Sequence, residues 1–231
     1  MIPLRDANPS RNLPLVTIVL ILANSLIFIY ELTLGPAQLD QFVFTFGVVP
    51  ARLTGMAGPS LPTGGGLETL LTSMFLHGGW LHLIGNMWFL WIFGDNVEDY
   101  LGHLRFLLFY LLCGLAAGFV HIAFNLQSTL PTVGASGAIA GVLGAYFLLF
   151  PRAKVLTLVP VFFVFLLEIP AYIILLYWFL LQFLSGTASI VGGNAAQGGV
   201  AWWAHVGGFV VGLALVKILA PARARIYVNY R

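Results

Sequence analysis

The stretch PTVGASGAIAGVLGAY, from Pro131 to Tyr146, decides how the rest of the sequence is interpreted. It places one hydroxyl, that of Ser136, at the start of an apolar run built mainly from Gly, Ala and Val. A serine at such a position can cap the helix, permit close helix packing or act as a nucleophile. The surrounding solvent and the polar groups at the same depth decide among these roles.

The composition indicates that most of this chain is surrounded by lipid. Hydrophobic residues make up 60% of the 231 residues and charged residues only 8%. A water-soluble domain cannot bury that much apolar surface. The single cysteine, Cys113, excludes a disulfide framework. The sequence has no basic stripe with interleaved aromatic residues, which argues against nucleic acid as a partner.

Apolar segments long enough to cross a bilayer, about 20 residues for about 30 Å of hydrocarbon, recur along the chain. We therefore predict a single-domain, all-α polytopic membrane protein with six transmembrane helices. The predicted spans are residues 15–34, 80–100, 103–125, 136–150, 170–185 and 200–220. Other predicted segments are a membrane-associated external loop at 35–79 with short helices, a mobile loop at 185–199 and a tail at 221–231. Three carboxylates near the end of the second span, Asp95, Glu98 and Asp99, are expected among the lipid headgroups.

The apolar run from Val155 to Leu184 is long for one crossing and is divided by Glu168 and Pro170. Proline is favoured at the first helical position, so we predict that the fifth span starts near Pro170. Residues 155–168 would then lie at the membrane surface. The alternative is one tilted helix kinked at Pro170, which would bury Glu168 and make its carboxylate a functional candidate.

Basic residues predict the orientation. Six spans place both termini on one side, and nine of the ten Lys and Arg residues fall on that side, with only Arg52 on the other. Cytoplasmic loops carry the excess of basic residues, so both termini are predicted to be cytoplasmic.

This orientation gives each polar side chain a depth, because the second, fourth and sixth spans all enter from the outside. His82 and Asn86 share one helical face in the first two turns of the second span. Ser136 lies in the first turn of the fourth span, and His205 lies about 7 Å into the sixth. Each group has a structural interpretation, as a helix cap or an interhelical hydrogen bond. Since polar groups in hydrocarbon are costly, four at one depth favour a functional site.

The types of these groups predict acyl-transfer chemistry. A neutral imidazole at His205 can take the proton of Ser136, and the Ser136 amide at a helix N-terminus, with His82 and Asn86, can donate to an oxyanion. No Asp or Glu lies at this depth, so we predict a Ser–His dyad rather than a triad. Gly134 keeps side-chain bulk away from the reacting carbonyl. Close approach of the fourth and sixth helices is expected from small residues that include Gly141, Gly208 and Gly212.

The remaining histidines are assigned lesser roles. His77, just outside the second span, is an accessory candidate, whereas His103 and His121 are interpreted as structural. The sequence contains no HExxH motif, and its histidines do not cluster with carboxylates along the chain. We therefore expect neither a metal ion nor a cofactor.

Three segments resemble the signature segments of rhomboid intramembrane serine proteases: HGGWLHLIGNMWFLWIFGDNVEDYLG, GASGAIAGVLGAY and AHVGGFVVGLAL. They contain an HxxxN pair, a GxSG motif and an AHxxGxxxG motif, in the order of the family. The resemblance covers all six predicted spans and implies the six-helix rhomboid core without a seventh helix.

The resemblance also implies the role of each residue. Ser136 would be the nucleophile and His205 the general base, with an oxyanion hole formed by His82, Asn86 and the Ser136 amide. Gly134, Ala135 and Gly137 would line the site. The implied substrates are single-pass membrane proteins, cleaved near the outer face after a small residue. The loop after the fifth span would cover the site, and substrates would enter between the fifth and second helices.

The sequence departs from the family pattern at two places. The Trp-Arg pair that several bacterial members carry in the first external loop does not occur before His77. The aromatic residue that some members place four positions after the nucleophile is Ala140 here. The His205 ring must therefore be held by something else, for which the candidates are Trp202, Trp203 and Phe209.

Taken together, the sequence predicts an intramembrane serine endopeptidase, multi-pass in the bacterial cytoplasmic membrane, with its site open to the outer side. The alternative is a catalytically silent scaffold that binds client transmembrane helices in the same groove. A transporter is a third class, but no convincing internal repeat of the kind transporters show is found in the sequence.

Overall fold

The structure is a computed structural model that describes residues 1–59, 61–161, 163–191 and 200–221. Nine α-helices occur in these residues: α1 Leu15–Leu32, α2 Pro36–Phe46, α3 Pro50–Leu53, α4 Thr69–Thr72, α5 Trp80–Leu101, α6 His103–Phe124, α7 Ser136–Leu149, α8 Ala171–Val191 and α9 Trp202–Leu219. A short 3₁₀ helix covers Ser73–Phe75. Strands β1 Ile2–Asp6, β2 Lys154–Val161 and β3 Phe163–Pro170 complete the described elements.

The protein is a mostly helical membrane protein. Among the described helices, α1, α6, α8 and α9 are long and apolar enough to cross a bilayer. Helix α7 is apolar but has only 14 residues. The count of six crossings and the side of the termini stay predictions. The predicted tail, residues 221–231, lies outside the described residues except for Pro221.

A three-stranded antiparallel sheet, β1-β2-β3, which the sequence analysis did not predict, accompanies the helices of this mostly helical fold. Strands β2 and β3 pair antiparallel, with Lys154 opposite Pro170 and Val161 opposite Phe163. The alternative of one long helix kinked at Pro170 is therefore wrong. Strands form here because the run is rich in Val, Phe and other residues that favour extended backbone. Glu168 stays exposed and pairs with Lys154 at 3.0 Å, so it is not a buried functional carboxylate.

The predicted loop at 185–199 also needs correction, because α8 continues to Val191. The uncharged sequence SGTASIV extends the helix beyond the predicted end at residue 185. The rest of that predicted loop, residues 192–199, lies outside the described residues.

The sequence predicts Glu98 among the lipid headgroups, but the structure shows it buried within the protein, where it caps the start of α1. Its side chain is 1% exposed, and its two oxygens accept hydrogen bonds from the backbone N–H groups of Val16 and Thr17, both at 2.8 Å. These amides begin α1 and have no partner within the helix, so a carboxylate satisfies them and complements the positive helix end. His103, at the start of α6, also contacts Glu98 at 2.6 Å. One carboxylate thus ties the ends of α1, α5 and α6 together.

Helix α7 lies in the centre of the fold and is buried continuously from Gly137 to Tyr146. It packs against α9 backbone to backbone: a Cβ added at Gly208 would collide with the carbonyl oxygen of Gly137, and one at Gly212 with that of Gly141. Small residues make this approach possible in the absence of a strong hydrophobic force between helices in lipid. The contact sets the distance between the helices that carry Ser136 and His205.

Candidate active site

Ser136 and His205 meet between α7 and α9. The Ser136 Oγ and His205 Nε2 atoms are 2.8 Å apart, a hydrogen-bond distance. Ser136 is the first residue of α7 and is half-buried, whereas His205 is 9% exposed. An imidazole at this distance can accept the hydroxyl proton, which is the arrangement that activates a serine nucleophile.

His82 of α5 lies beside the turn that precedes Ser136. Its Nδ1 accepts a hydrogen bond from the Gly78 N–H at 3.3 Å, so the proton of the neutral ring is on Nε2. Nε2 faces Gly134, where an added Cβ would lie only 2.7 Å away. Gly134 also has φ of +127°, a conformation that favours glycine. The chain therefore presents a ring N–H donor next to the serine.

Asn86, one turn further along α5, supplies an unpaired donor. It is 7% exposed and its Nδ2 atom has no hydrogen-bond partner among the described residues. Buried polar groups are nearly always paired, so an unpaired one beside a cleft is a candidate for ligand or transition-state contacts. The Ser136 amide at the start of α7 is a further donor at a positive helix end.

Two cavities border the serine. A cleft of about 830 Å³ is lined by all four predicted residues, His82, Asn86, Ser136 and His205. Phe89 of α5 and Trp178 of α8 also line the cleft, together with residues of the 130–133 segment. A smaller cavity of about 40 Å³ lies beside Ser136 and Gly134.

The smaller cavity has a polar lining that includes Ser73, His121 and Thr132. His121 Nε2 lies 3.0 Å from the Thr132 hydroxyl, which agrees with the structural role assigned to this histidine. Of the predicted lining residues, Gly134 and Gly137 border this cavity, whereas Ala135 is fully buried in the hydrophobic core.

The His205 ring is held by one of the predicted residues, Trp202, and by two residues that the sequence analysis did not name, Gln182 and Trp178. Its Nδ1 lies 2.7 Å from Oε1 of Gln182, a buried residue of α8 that the sequence analysis missed. Trp178 lies against the ring at 5.7 Å between centroids, and Trp202 stands edge-on at 6.4 Å. The signal for Gln182 was available, since an amide in an apolar membrane helix is costly and needs a partner.

The other two aromatic candidates pack elsewhere. Trp203 stacks on Phe124, with ring centroids 3.9 Å apart and planes nearly parallel. Phe209 packs against Phe179 at 4.8 Å. Both residues therefore stabilise helix packing around the site and leave the imidazole to Gln182 and the two other tryptophans.

His77 lies behind His82, with ring centroids 5.1 Å apart. Its backbone N–H donates to Glu31 Oε2 at 3.3 Å, and both ring nitrogens are buried without a partner among the described residues. Burial, assisted by repulsion from His82, lowers the pKa of His77 to about 4. The ring is therefore neutral at physiological pH and packs against His82 rather than contacting Ser136.

Fold and site together define a helical membrane protein with a serine–imidazole pair beside a second histidine and an asparagine whose Nδ2 has no partner among the described residues. A rhomboid domain family model matches residues 64–222, which include all of these groups. The chain belongs to the rhomboid family.

Individual relatives match over shorter segments. The chain is 46% identical over 76 residues to the rhomboid protease GluP of Bacillus subtilis, covering 33% of this chain and 14% of GluP. It is 36% identical over 109 residues to RHOMBOID-like protein 5 of Arabidopsis thaliana, covering 42% and 35% of the two chains. The mitochondrial rhomboid protein 1 of Saccharomyces cerevisiae is 36% identical over 95 residues, covering 39% and 28%. Each alignment thus spans about a third or less of the relative's own length.

Proposed function

We propose that this protein is an intramembrane serine endopeptidase that cleaves transmembrane helices of single-pass substrate proteins near the outer face of the membrane. The observation that carries this proposal is the 2.8 Å contact between Ser136 Oγ and His205 Nε2. It lies in a cleft that also contains the ring of His82 and the unpaired amide of Asn86. The family includes a relative named as a protease, GluP.

In the proposed reaction Ser136 Oγ attacks the scissile carbonyl while His205 Nε2 takes its proton. The resulting oxyanion accepts hydrogen bonds from His82 Nε2–H, Asn86 Nδ2–H and the Ser136 amide, each worth about 10²–10³ in rate for sites of this type. His205 then gives the proton to the leaving amine, and the acyl group stays on Ser136. A water molecule, deprotonated by His205, hydrolyses the ester and restores the serine.

Access and water supply support the same proposal. Phe89 of α5 and Trp178 of α8 both border the cleft, so a substrate helix that parts these two elements reaches Ser136. The cavity of about 40 Å³ beside Ser136 is large enough for one water molecule. Substrates that unwind easily, with Gly or Pro near the scissile bond, are expected to be preferred, because the reacting carbonyl must leave its helix.

We infer that the protein lies in the bacterial cytoplasmic membrane with this cleft open to the outer side. The bias of basic residues towards the side of the termini supports this orientation. Accessibility of single cysteines placed at residues 57 and 152 of a Cys113→Ser background, in intact cells, tests it. Labelling of residue 152 but not residue 57 by an impermeant reagent would reverse the orientation.

The function is tested with purified protein in detergent, a generic transmembrane substrate and a fluorophosphonate probe. Wild-type protein is expected to cleave the substrate and to be labelled, and both Ser136→Ala and His205→Ala to do neither. Ser25→Ala, which removes a serine from α1, is the matched control and should behave as wild type. A scaffold that only binds helices would retain substrate in the cleft without labelling or cleavage in any variant.

A further inference from the structure

The amide of Gln182 makes two hydrogen bonds that fix the chemical state of His205. Gln182 is the only Asn or Gln in α8 and is 7% exposed. Its Nε2 donates to the backbone carbonyl of Trp178 at 3.3 Å, and its Oε1 lies 2.7 Å from His205 Nδ1. Both polar atoms of the glutamine amide are thus engaged, the nitrogen as donor within its own helix and the oxygen across to α9.

The Trp178 carbonyl determines which way the amide points. A carbonyl oxygen can only accept, so the NH₂ group of Gln182 must face it and Oε1 must face His205. Oε1 also can only accept, so the proton of the neutral ring must be on Nδ1. Nε2 then carries the lone pair, and Nε2 is the atom 2.8 Å from Ser136 Oγ. This chain of donors and acceptors selects the tautomer that can receive the serine proton.

We propose that Gln182 is a positioning residue that holds His205 in the Nδ1–H tautomer and thereby prepares it as the general base. This proposal rests on the proposed function for its kinetic consequence. The arrangement replaces the predicted two-residue site by a chain of three side chains, Ser136, His205 and Gln182, carried by three different helices.

A neutral hydrogen-bond acceptor such as the Gln182 amide oxygen suits this buried position beside His205 better than a carboxylate does. An ionised carboxylate in the same buried place would need compensating hydrogen bonds or a counter-charge. An amide oxygen orients the ring and stabilises the developing imidazolium by its dipole without that cost. Trp178 and Trp202 restrain the ring by contact, but ring contacts do not distinguish the two nitrogens. Among the described residues, it is therefore the hydrogen bond to Gln182 that selects the tautomer.

Two substitutions at residue 182 separate the effect of the hydrogen-bond acceptor from the effect of side-chain length. Gln182→Met keeps length and removes the acceptor, whereas Gln182→Glu keeps an acceptor oxygen at the same place. We expect Gln182→Met to lower kcat at least tenfold with KM unchanged, because the lost interaction strengthens in the transition state. Gln182→Glu should retain kcat better than Gln182→Met, because an acceptor oxygen stays beside Nδ1. It should lower thermal stability, because the buried carboxyl group lacks compensating partners. Thr187→Val, which removes a hydroxyl that donates to the Leu184 carbonyl within α8, is the matched control and should leave kcat and thermal stability unchanged.

The kcat values of the Gln182 variants test whether this residue assists catalysis. A kcat for Gln182→Met within twofold of wild type would overturn the proposal. Equal losses of activity and thermal stability in the Met and Glu variants would also overturn it, since they indicate a structural role for the residue.

A spectroscopic measurement keeps the proposal independent of activity. The chain has five histidines, and ¹⁵N-labelled imidazoles report their tautomers by NMR, with His205 assigned from a His205→Gln sample. The wild-type ring should be protonated at Nδ1, and Gln182→Met should lose that preference. An Nε2–H ring in the wild type contradicts the proposal. If the wild type shows the Nδ1–H ring but cleaves nothing, the proposed function fails while the role of Gln182 in selecting the tautomer stands.

Discussion

Gly208 of α9 lies directly against the backbone carbonyl of Gly137 in α7, with no room for a methyl group between the two helices. Gly208→Ala must therefore push α9 away from α7 and lengthen the contact between Ser136 and His205. We expect a loss of about 1–3 kcal/mol of stability, typical of overpacking, and loss of fluorophosphonate labelling.

The matched control is Gly85→Ala in α5, where an added Cβ meets nothing within 4 Å. Alanine is the better helix former there, so the melting temperature should stay the same or rise. Thermal melting in detergent compares the two variants. Equal melting temperatures for Gly208→Ala and wild type would show that the helices can separate at no cost.

Gly134→Ala is expected to displace His82 from the site. The new Cβ would lie 2.7 Å from the His82 ring, and the backbone at φ +127° is unfavourable for alanine. Gly102→Ala is the control for the backbone effect alone, because Gly102 has φ of +79° and an added Cβ there would meet nothing within 4 Å. Cleavage rates per folded molecule should fall at least tenfold for Gly134→Ala and stay near wild type for Gly102→Ala.

Asn86→Ala should reduce activity far more than stability. Its Nδ2 has no partner among the described residues, so removing it sacrifices no hydrogen bond of the resting protein. Loss of one oxyanion donor typically lowers kcat by about 10²–10³. Steady-state kinetics measure the loss of activity, and thermal melting measures the change in stability. A large fall in melting temperature with a small change in kcat would assign Asn86 to folding rather than to the oxyanion hole.

His77 makes stability depend on pH. The folded-state pKa is about 4 because of burial, against 6.5 for an ordinary histidine. The unfolded chain therefore binds a proton first as the pH falls, so the stability from His77 is complete above about 6.5 and is lost progressively towards pH 4. The melting temperature of His77→Gln should fall less steeply than that of wild type over this window. Parallel curves for the two proteins would contradict the buried neutral ring.

The sequence predicted the parts of the site that follow from helix geometry. Ser136 and His205 were predicted to meet because each begins an apolar helix entered from the same side, and helix rise converts sequence position into depth. Backbone contact at Gly208 and Gly212 followed from the spacing of small residues. These inferences need only the spacing of residues along each helix and the length of the apolar segments.

Other features depend on contacts that sequence position does not encode. The run VLTLVPVFFVFLL is apolar on every face, so periodicity cannot separate a hairpin from a helix or a surface segment. Glu98 lies at the end of α5, where exposure was expected, but the start of α1 brings two unpaired amides to it. Gln182 was missed because its partner is 23 positions away on another helix.

The shortness of α7 has a consequence for the bilayer. Its 14 residues span about 21 Å, which cannot bridge a hydrocarbon layer of about 30 Å. Irregular backbone at that level is tolerated only where protein satisfies its amides. Val48 and Thr132 do so for each other, with reciprocal N–H to carbonyl bonds of 3.0 and 2.8 Å. The segment at 35–79 therefore reaches the site through Val48, which lines the small cavity beside Ser136, and we expect a chain without this segment to leave Ser136 open to lipid acyl chains.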